Sequence, residues 1–264
     1  MVAQHIVGLN DRGVSESIGF LLIFTIVIVG IGLVTLYGYP LLLKQQVSAD
    51  EKIMEKNMIV LQNDVKSLAY KTVPYKETSL KIGSGSLSIY NSSHQPSFSN
   101  ITISDSSGTT IVNKFEPGEL RYESISAQTD ISLQNGAVIL RPRLSGGSVM
   151  LAEPRWFYDP PTRTMVINLI NFTSEGIMGR EGIGTVRMKM GDYNYTQLTP
   201  ANPVTVIYTP NPSMDYSVAW DNYFMKIPGM AHDQPPGSGT PITYTLPPVN
   251  SLVIKTYEVK IESI

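Results

Sequence analysis

One uncharged apolar run in this chain is long enough to cross a membrane. Residues 17–43 carry no charged side chain. At about 1.5 Å per residue, a helix of this length extends for roughly 40 Å, which exceeds the roughly 30 Å of a bilayer's hydrocarbon core. A soluble helix would show a polar face at every turn, whereas residues 20–34 are apolar on all sides apart from one threonine and two glycines. The sequence therefore predicts a transmembrane helix at residues 14–43.

The same run differs from a secretory signal peptide that is removed whole. It is longer than the apolar region of such signals, which has about 7–15 residues, and no small-x-small cleavage site follows before Lys44. Pro40 has no amide hydrogen, so we expect it to kink or loosen the helix near its exit. The positive-inside rule does not choose an orientation, because the lysines after the run outnumber Arg12 before it.

The composition excludes several classes of chemistry. The 264 residues have 20 basic and 22 acidic side chains, which gives no broad positive surface for a phosphate backbone, so no nucleic-acid partner is expected. There is no cysteine, and this excludes disulfides, thiolate nucleophiles, cysteine-ligated zinc and iron–sulfur clusters. A domain outside the membrane must then be held together by its apolar core.

An amphipathic helix is predicted after the run, as a stalk at residues 44–73. Its apolar residues recur at spacings of three, four or seven, which places them on one stripe of a helix. The stripe consists of Val47, Met54, Met58, Leu61, Val65 and Leu68. Pro74 is expected to end the helix. Two interpretations are open: the stripe packs against the chain's own β domain, or against the helix of a neighbouring subunit as a short coiled-coil seam.

Residues 75–264 have the pattern of an extracytoplasmic β domain. Short β-prone runs alternate with Gly, Pro, Ser, Asn and Asp, which is typical of an antiparallel sandwich. The predicted fold class is therefore α+β, with a long N-terminal transmembrane and stalk helix followed by a sandwich-like domain. The clearest strands are predicted at 86–90, 101–104, 119–123, 137–140, 164–171, 184–190, 204–208 and 252–261.

Three further segments of the β domain have distinct expectations. Residues 214–226, with Trp220 and Phe224, are expected to form a short helix or corner that fills the core. Residues 228–248 are rich in proline and glycine and are expected to form a long surface loop. The glycine-rich run 179–184 lacks the strand-to-helix setting of a phosphate-binding loop, so we interpret it as a turn between strands.

The residues before the apolar run read Arg12-Gly13-Val14-Ser15-Glu16, a short polar segment that ends in Arg-Gly, followed by small or polar residues and the apolar helix. This arrangement resembles the leader of archaeal type IV prepilins. The resemblance implies a leader at residues 1–13, cut after Gly13 by a prepilin-type peptidase, with the helix retained. It also implies a single-pass protein of the cell membrane with its C-terminal domain outside, or a subunit of a surface filament with copies of itself or other pilin-like subunits.

Glu16 has two interpretations. A carboxylate at the edge of the hydrocarbon is costly unless it is paired, and pilin assembly would offer the free α-amino group of a neighbouring subunit as a partner. Alternatively, Glu16 is a carboxylate in the first helical turn, favoured by the helix dipole, with Ser15 as the cap.

The resemblance extends beyond the leader. The start Arg-Gly-Val-Ser-Glu and two later segments are similar to a group of uncharacterised archaeal membrane-anchored proteins with a β-rich exterior. The later segments are Gln134-Asn135-Gly136-Ala137-Val138-Ile139 and Ala219-Trp220-Asp221-Asn222-Tyr223-Phe224. This group implies a location and an architecture, and it implies no activity.

Few residues point to covalent chemistry. Four Asn-x-Ser/Thr acceptors for N-glycans occur in the β region, at Asn91, Asn100, Asn171 and Asn194, and they favour an exported glycoprotein. Of the three histidines, His5 lies in the leader, and His94 and His232 are interpreted as solvated loop residues. Asp215, Asp221 and Asp233 match no calcium-loop spacing. We expect no catalytic residue, no metal and no cofactor.

The sequence thus favours a non-catalytic pilin-like cell-surface protein, anchored or assembled through its N-terminal helix. The alternative is a membrane-anchored β-sandwich binding module for a glycan, solute or protein that does not polymerise. Aromatic residues available to such a site are Trp156, Phe157, Tyr158, Tyr193 and Tyr195. The same residue types also fill sandwich cores.

Overall fold

The structure, a computed structural model, describes residues 11–71, 73–91, 99–124, 126–200, 203–237 and 239–264, with side chains from residue 16 onward. Most of the predicted leader, His5 and His94 lie outside the described residues. The chain divides into two compact units, one ending at Ala49 and the other spanning Asp50–Ile264.

The first unit is helical from Asp11 onward. Helix α1 (Asp11–Leu33) is followed by a π-helical stretch, Val34–Gly38, and by the start of helix α2 (Tyr39–Lys71). The amide of Tyr39 donates to the carbonyl of Val34, five residues back, which is the wider turn of a π-helix. This loosened turn lies directly before Pro40, where the sequence predicts a disturbance of the helix.

The surface of this helical segment is apolar. The large apolar side chains from Ile18 to Leu43 are all exposed. The hydroxyls of Thr25 and Thr35 donate to the carbonyls of Leu21 and Ile31 at 2.7 and 2.8 Å, so neither polar group needs water. The helix is long and apolar enough to cross a membrane. Apolar surface of this extent is not stable in water and requires lipid or protein around it.

In the residues that the structure describes, the second unit contains the end of α2, fourteen strands and a short helix, α3 (Ser217–Phe224). The strands are β1 (Tyr75–Tyr90), β2 (Asn100–Asp105), β3 (Thr110–Phe115), β4 (Glu119–Ser124), β5 (Thr129–Gln134), β6 (Ala137–Pro142), β7 (Val149–Ala152), β8 (Phe157–Asp159), β9 (Thr164–Ser174), β10 (Gly179–Leu198), β11 (Val204–Thr209), β12 (Ala231–His232), β13 (Ile242–Thr245) and β14 (Ser251–Ser263).

These strands form two sheets. The larger sheet has nine strands in the order β7-β6-β5-β4-β1-β10-β14-β9-β8, and the smaller has five in the order β12-β13-β11-β2-β3. Pairing is antiparallel except between β9 and β14, among the strands that the structure describes. The predicted α+β fold, with a long apolar N-terminal helix and a mostly antiparallel β domain, is confirmed, and each predicted strand overlaps an observed one.

The stripe on α2 packs against the chain's own larger sheet. Five of its six residues are fully buried in one apolar cluster, here called the α2 core: Met54, Met58, Leu61, Val65 and Leu68. Gln62 fixes the helix further, because its side-chain amide donates to the carbonyls of Gly136 and Glu153 at 2.6 and 3.0 Å. Of the two interpretations left open by the sequence, packing on the own domain is the one observed.

Strands β9 and β14 contribute side chains to two apolar cores, one on each face of the larger sheet. In β9, Met165, Ile167 and Leu169 belong to a second cluster with the smaller sheet and α3, here called the α3 core. Ile170 and Phe172 project from the opposite face into the α2 core. Because side chains alternate between the faces of a strand, the larger sheet is covered by α2 on one face and by the smaller sheet on the other.

Helix α3 fills the α3 core as the sequence predicts. Trp220 and Phe224 are fully buried, and their rings lie 5.4 Å apart. The indole of Trp220 donates to the side-chain oxygen of Gln134 at 3.2 Å. The segment 214–226 is therefore a core element and leaves no indole face free for a ligand.

Two loop predictions are wrong. The run 179–184 is the first part of β10 and not a turn. It pairs with β1 through register shifts on either side of Gly83, where the extra residues of the bulges lie on β1. The predicted loop 228–248 contains β12 and β13 in its described part, and Ile242 and Tyr244 are fully buried in the α3 core. Ile242 and Tyr244 are two residues apart, so their side chains lie on the same face of β13. Their burial outweighs the turn tendency of the neighbouring proline and glycine residues.

Candidate functional site

An open groove lies where α2 stops covering the larger sheet. The side chains of Val166, Asn168, Ile170 and Phe172 share one face of β9, since they are two residues apart. Ile170 and Phe172 are buried in the α2 core, whereas Val166 and Asn168 line the groove. Helix α2 ends at Lys71, so the rest of this sheet face has no helix above it. The groove is thus the uncovered continuation of a core-facing surface.

Aromatic and apolar side chains from the end of α2 and four strands form the walls. The groove has a volume of about 760 Å³ and is named the aromatic groove below. It is lined by Leu68, Ala69, Tyr70, Val73, Pro74, Arg155, Phe157, Val166, Asn168, Met190, Tyr193, Lys255 and Tyr257. Phe157 and Tyr193 are each 53% exposed. Two large aromatic side chains are therefore held at the surface by a rigid sheet.

The rings of the groove contact one another. Tyr257 lies edge-on to Tyr70, with 5.4 Å between ring centroids, and is tilted against Tyr193 at 5.1 Å. Burial, followed by the neighbouring Tyr257, raises the pKa of the Tyr70 hydroxyl. Tyr70 consequently remains a neutral hydroxyl at physiological pH, able to donate and to accept hydrogen bonds.

Two cations stand beside these rings without a carboxylate partner. The Arg155 guanidinium lies 5.0 Å from the centroid of the Tyr70 ring, and the Lys255 ammonium lies 5.9 Å from that of Tyr195. Neither cation forms an ion pair within the part of the chain that the structure describes, and no Asp or Glu lines the groove there. The site is positively charged and apolar at once.

The positive charge continues beside the groove. A smaller depression shares Tyr70 and Arg155 with it and is also lined by Lys66 and Lys71. Burial, followed by the positive charge of Arg155, lowers the pKa of Lys66, while Glu153 acts in the opposite direction. Crowded cations of this kind are stabilised by a bound anion.

The aromatic residues considered from the sequence divide between core and surface. Phe157 and Tyr193 line the groove, and Tyr195 lies beside it on β10. Trp156 is buried in the α3 core, where its indole donates to the carbonyl of Asn168 at 2.9 Å. Tyr158 packs against the same core. Sequence reasoning did not identify Tyr70, Arg155, Lys255 or Tyr257 as members of a site.

The residues predicted for processing and assembly lie on α1. Gly13 and Val14 are within this helix, and Glu16 is exposed on it. The structure brings no other chain to Glu16, so its role in assembly stays a prediction.

The four predicted glycan acceptors have different surroundings. Asn194 is exposed on β10, whereas Asn100 and Asn171 are half-buried in β2 and β9. Asn91 is only 3% exposed, and its amide nitrogen donates to the hydroxyl and the carbonyl of Ser174 at 2.9 and 3.3 Å. Attachment of a glycan to that nitrogen in the folded domain would break these contacts. Asn194 is the acceptor with the most accessible side chain.

The remaining chemical candidates have structural roles. His232 is half-buried and not a solvated loop residue, because its Nδ1 lies 2.8 Å from an oxygen of Asp221. The hydroxyl of Tyr244 donates to the same oxygen at 3.0 Å. Asp215 accepts from two backbone amides and Asp233 from one, as turn carboxylates do. No group of three or more potential metal ligands occurs among the residues described.

The fold defines a protein with one membrane-length apolar N-terminal helix and a two-sheet β domain. A family model matches residues 12–262, and the chain belongs to this family, DUF7289, a family of unknown function. No curated protein and no solved structure matches the chain. The match starts at Arg12, next to the predicted cleavage position, and includes the β domain to its last strand.

Proposed function

We propose that this protein is an archaeal cell-surface protein of the type IV pilin-like class, non-catalytic and cut after Gly13. Its N-terminal helix would anchor it in the cell membrane or assemble it with copies of itself or other pilin-like subunits, with the β domain outside. The observation that carries the proposal is the contrast along the helical segment. Apolar side chains from Ile18 to Leu43 are exposed, whereas the stripe from Met54 to Leu68 is part of a β-domain core.

This contrast matches what an anchored subunit needs. An exposed apolar helix is stable only inside lipid or against other apolar helices. The resemblance of the leader to prepilins supports the same reading from residues outside the β domain.

The first test is the N-terminus of the mature protein. Mass spectrometry of the terminal peptide from native membranes is expected to identify Val14 as the first residue. Gly13→Val should retain the leader, because it places a branched side chain at the cut. Gly19→Val is the matched control, since an added Cβ there meets no atom within 4 Å, and it should be processed normally. A wild-type protein that starts at Met1 or at residue 2 contradicts the proposal.

The second test concerns assembly through Glu16. In an assembled state its carboxylate would pair with the α-amino group of Val14 in a neighbouring copy. Glu16→Gln removes that charge, so cross-linked oligomers in native membranes should decrease several-fold. Glu175→Gln, at an exposed position after β9, is the control and should leave the oligomers unchanged. If the Glu16 change leaves the oligomers intact, Glu16 has no role in assembly and acts only as a carboxylate in the first turn of the helix.

The aromatic groove favours a second candidate, a membrane-anchored binding module that does not polymerise. A filament subunit has no need for exposed aromatic rings beside unpaired cations, whereas a binding surface does. The two candidates differ in oligomeric state: a binding module would be monomeric in mild detergent before and after the Glu16 change. Its β domain would instead gain thermal stability when the groove is occupied.

A further inference from the structure

The ligand of the aromatic groove must match both rings and cations. Phe157 and Tyr193 expose about half of their surface in the groove, and aromatic rings exposed in this way suit a ligand with a flat apolar side. The C–H face of a pyranose ring is such a surface. Its hydroxyls meet polar groups nearby, including the Tyr70 hydroxyl and the pair in which the Tyr195 hydroxyl donates to Gln197 at 2.6 Å.

The cations of the groove require a ligand with negative charge at more than one position. Arg155 stands beside Tyr70 and Lys255 beside Tyr195, so the two charges lie next to different rings. Lys66 extends the positive surface past Arg155. A chain with a repeated carboxylate can neutralise charges that are spread in this way, whereas a single phosphate can meet only one of them.

The position of the groove disfavours an acidic peptide as the ligand. An acidic peptide bound by strand addition would need a long free sheet edge, whereas the groove lies mostly on a sheet face and reaches the edge only at the three-residue strand β8.

We propose that the aromatic groove binds an acidic saccharide, a sugar chain whose units carry carboxylates. The sugar rings would pack on Phe157 and Tyr193, and the carboxylates would pair with Arg155 and Lys255. This inference rests on the binding function proposed above as the second candidate, and it names the chemical class of ligand for that function.

The test uses the full-length protein in nanodiscs of zwitterionic lipid and isothermal titration calorimetry. The probes are tetragalacturonic acid, a sialic acid tetramer, and the methyl ester of tetragalacturonic acid, which has the same rings without the charge. At least one acid is expected to bind with a Kd below about 1 mM, weakening as salt is added, and the ester of the galacturonate should bind about tenfold more weakly than its acid.

Variants locate the binding. Arg155→Gln and Lys255→Gln should each weaken binding of the acid about tenfold, and Tyr193→Ala should weaken binding of the acid and the ester alike. Arg180→Gln is the matched control, because Arg180 is an exposed arginine of β10 whose Nε donates only to the carbonyl of Ile183 at 3.2 Å, in the described structure. It removes one positive charge outside the groove and should leave the Kd unchanged.

The outcomes separate the ligand class from the binding function. Equal affinity for acid and ester would leave a saccharide-binding module and overturn the acidic class. If polyglutamate or phosphatidylglycerol vesicles bind in an Arg155-dependent way while both acidic sugars fail, the binding function stands and the saccharide inference is wrong. Failure of all these probes to bind overturns both the inference and the binding module.

Discussion

Leu61→Asp is expected to unfold the β domain, whereas Val60→Asp is expected to leave it folded. Leu61 is fully buried in the α2 core, and Val60, its neighbour, is 48% exposed. Truncating a buried leucine to alanine costs about 2–5 kcal/mol, and an unpaired carboxylate adds a desolvation cost of several kcal/mol. Because a domain's net stability is only about 5–15 kcal/mol, the buried change approaches or exceeds it.

The measurement is urea unfolding of the full-length protein in detergent, followed by tryptophan fluorescence. Trp156 and Trp220 are both buried in the α3 core, on the other face of the larger sheet from Leu61. If the tryptophan emission of Leu61→Asp is already that of the unfolded protein before urea is added, the two cores unfold together. Leu61→Ala should retain the fold, with a midpoint lowered by the equivalent of about 2–5 kcal/mol. Equal stability of the two aspartate variants would mean that the stripe is not part of the core.

The helical part of this fold could be read from the sequence because its signals are local. Each of these signals depends only on residues within a few turns of one helix: the uncharged run 17–43, the apolar stripe and Pro40. In β10, the alternation of Val186, Met188 and Met190 with Arg187 and Lys189 likewise predicts which side chains face inward. Val186 and Met188 are buried and Met190 is half-buried, whereas Arg187 and Lys189 are exposed.

Several strands were missed although one of them has a strong local signal. Asn135-Gly136 joins β5 to β6, and both residues have positive φ, 48° and 73°, as a two-residue hairpin turn requires. The side-chain oxygen of Asn135 also accepts from the amide of Ile170 at 2.7 Å. Recognising the Asn-Gly pair would have added β5. The resemblance noted at residues 134–139 includes this turn.

The groove could not have been read from the sequence. Its rings and cations come from α2, the segment before β8, and strands β8, β10 and β14. They meet because β14 is inserted between β10 and β9, a strand order that no local pattern encodes. The sequence shows that Phe157 and Tyr193 are aromatic, but Trp156 is equally aromatic and buried.

The larger sheet contains a buried ionic cluster. Asp130, on β5, is fully buried, and Arg141 and Arg143 lie on and just after β6. Nη1 of Arg141 and Nε of Arg143 donate to its two carboxylate oxygens at 3.2 and 2.8 Å. The hydrogen bond that Arg143 donates to Asp130 raises the pKa of the Arg143 guanidinium, although burial opposes this. Asp130 is thus the shared partner of both arginines, and Arg143 has a second, more distant partner in Glu123, at 3.8 Å.

Asp130→Asn is expected to destabilise the domain by about 3–4 kcal/mol in the same urea experiment. The substitution keeps the shape but removes the charge, and breaking a buried pair from one side costs about 3–5 kcal/mol because the partner charges lose their compensation. Glu262→Gln, in an exposed pair with Lys189, is the control and should change stability little.

A double variant separates loss of the ion pair from a packing defect. If the cost of Asp130→Asn comes from uncompensated arginine charge, adding Arg143→Gln should recover part of it, with a coupling free energy above about 1 kcal/mol. Additive losses would show that Asp130 matters for its shape and neutral hydrogen bonds. Strong coupling would identify a charged cluster that fixes the β5–β6 register at the open end of the hairpin, away from the Asn135-Gly136 turn, whose Gly136 carbonyl accepts from Gln62 of α2.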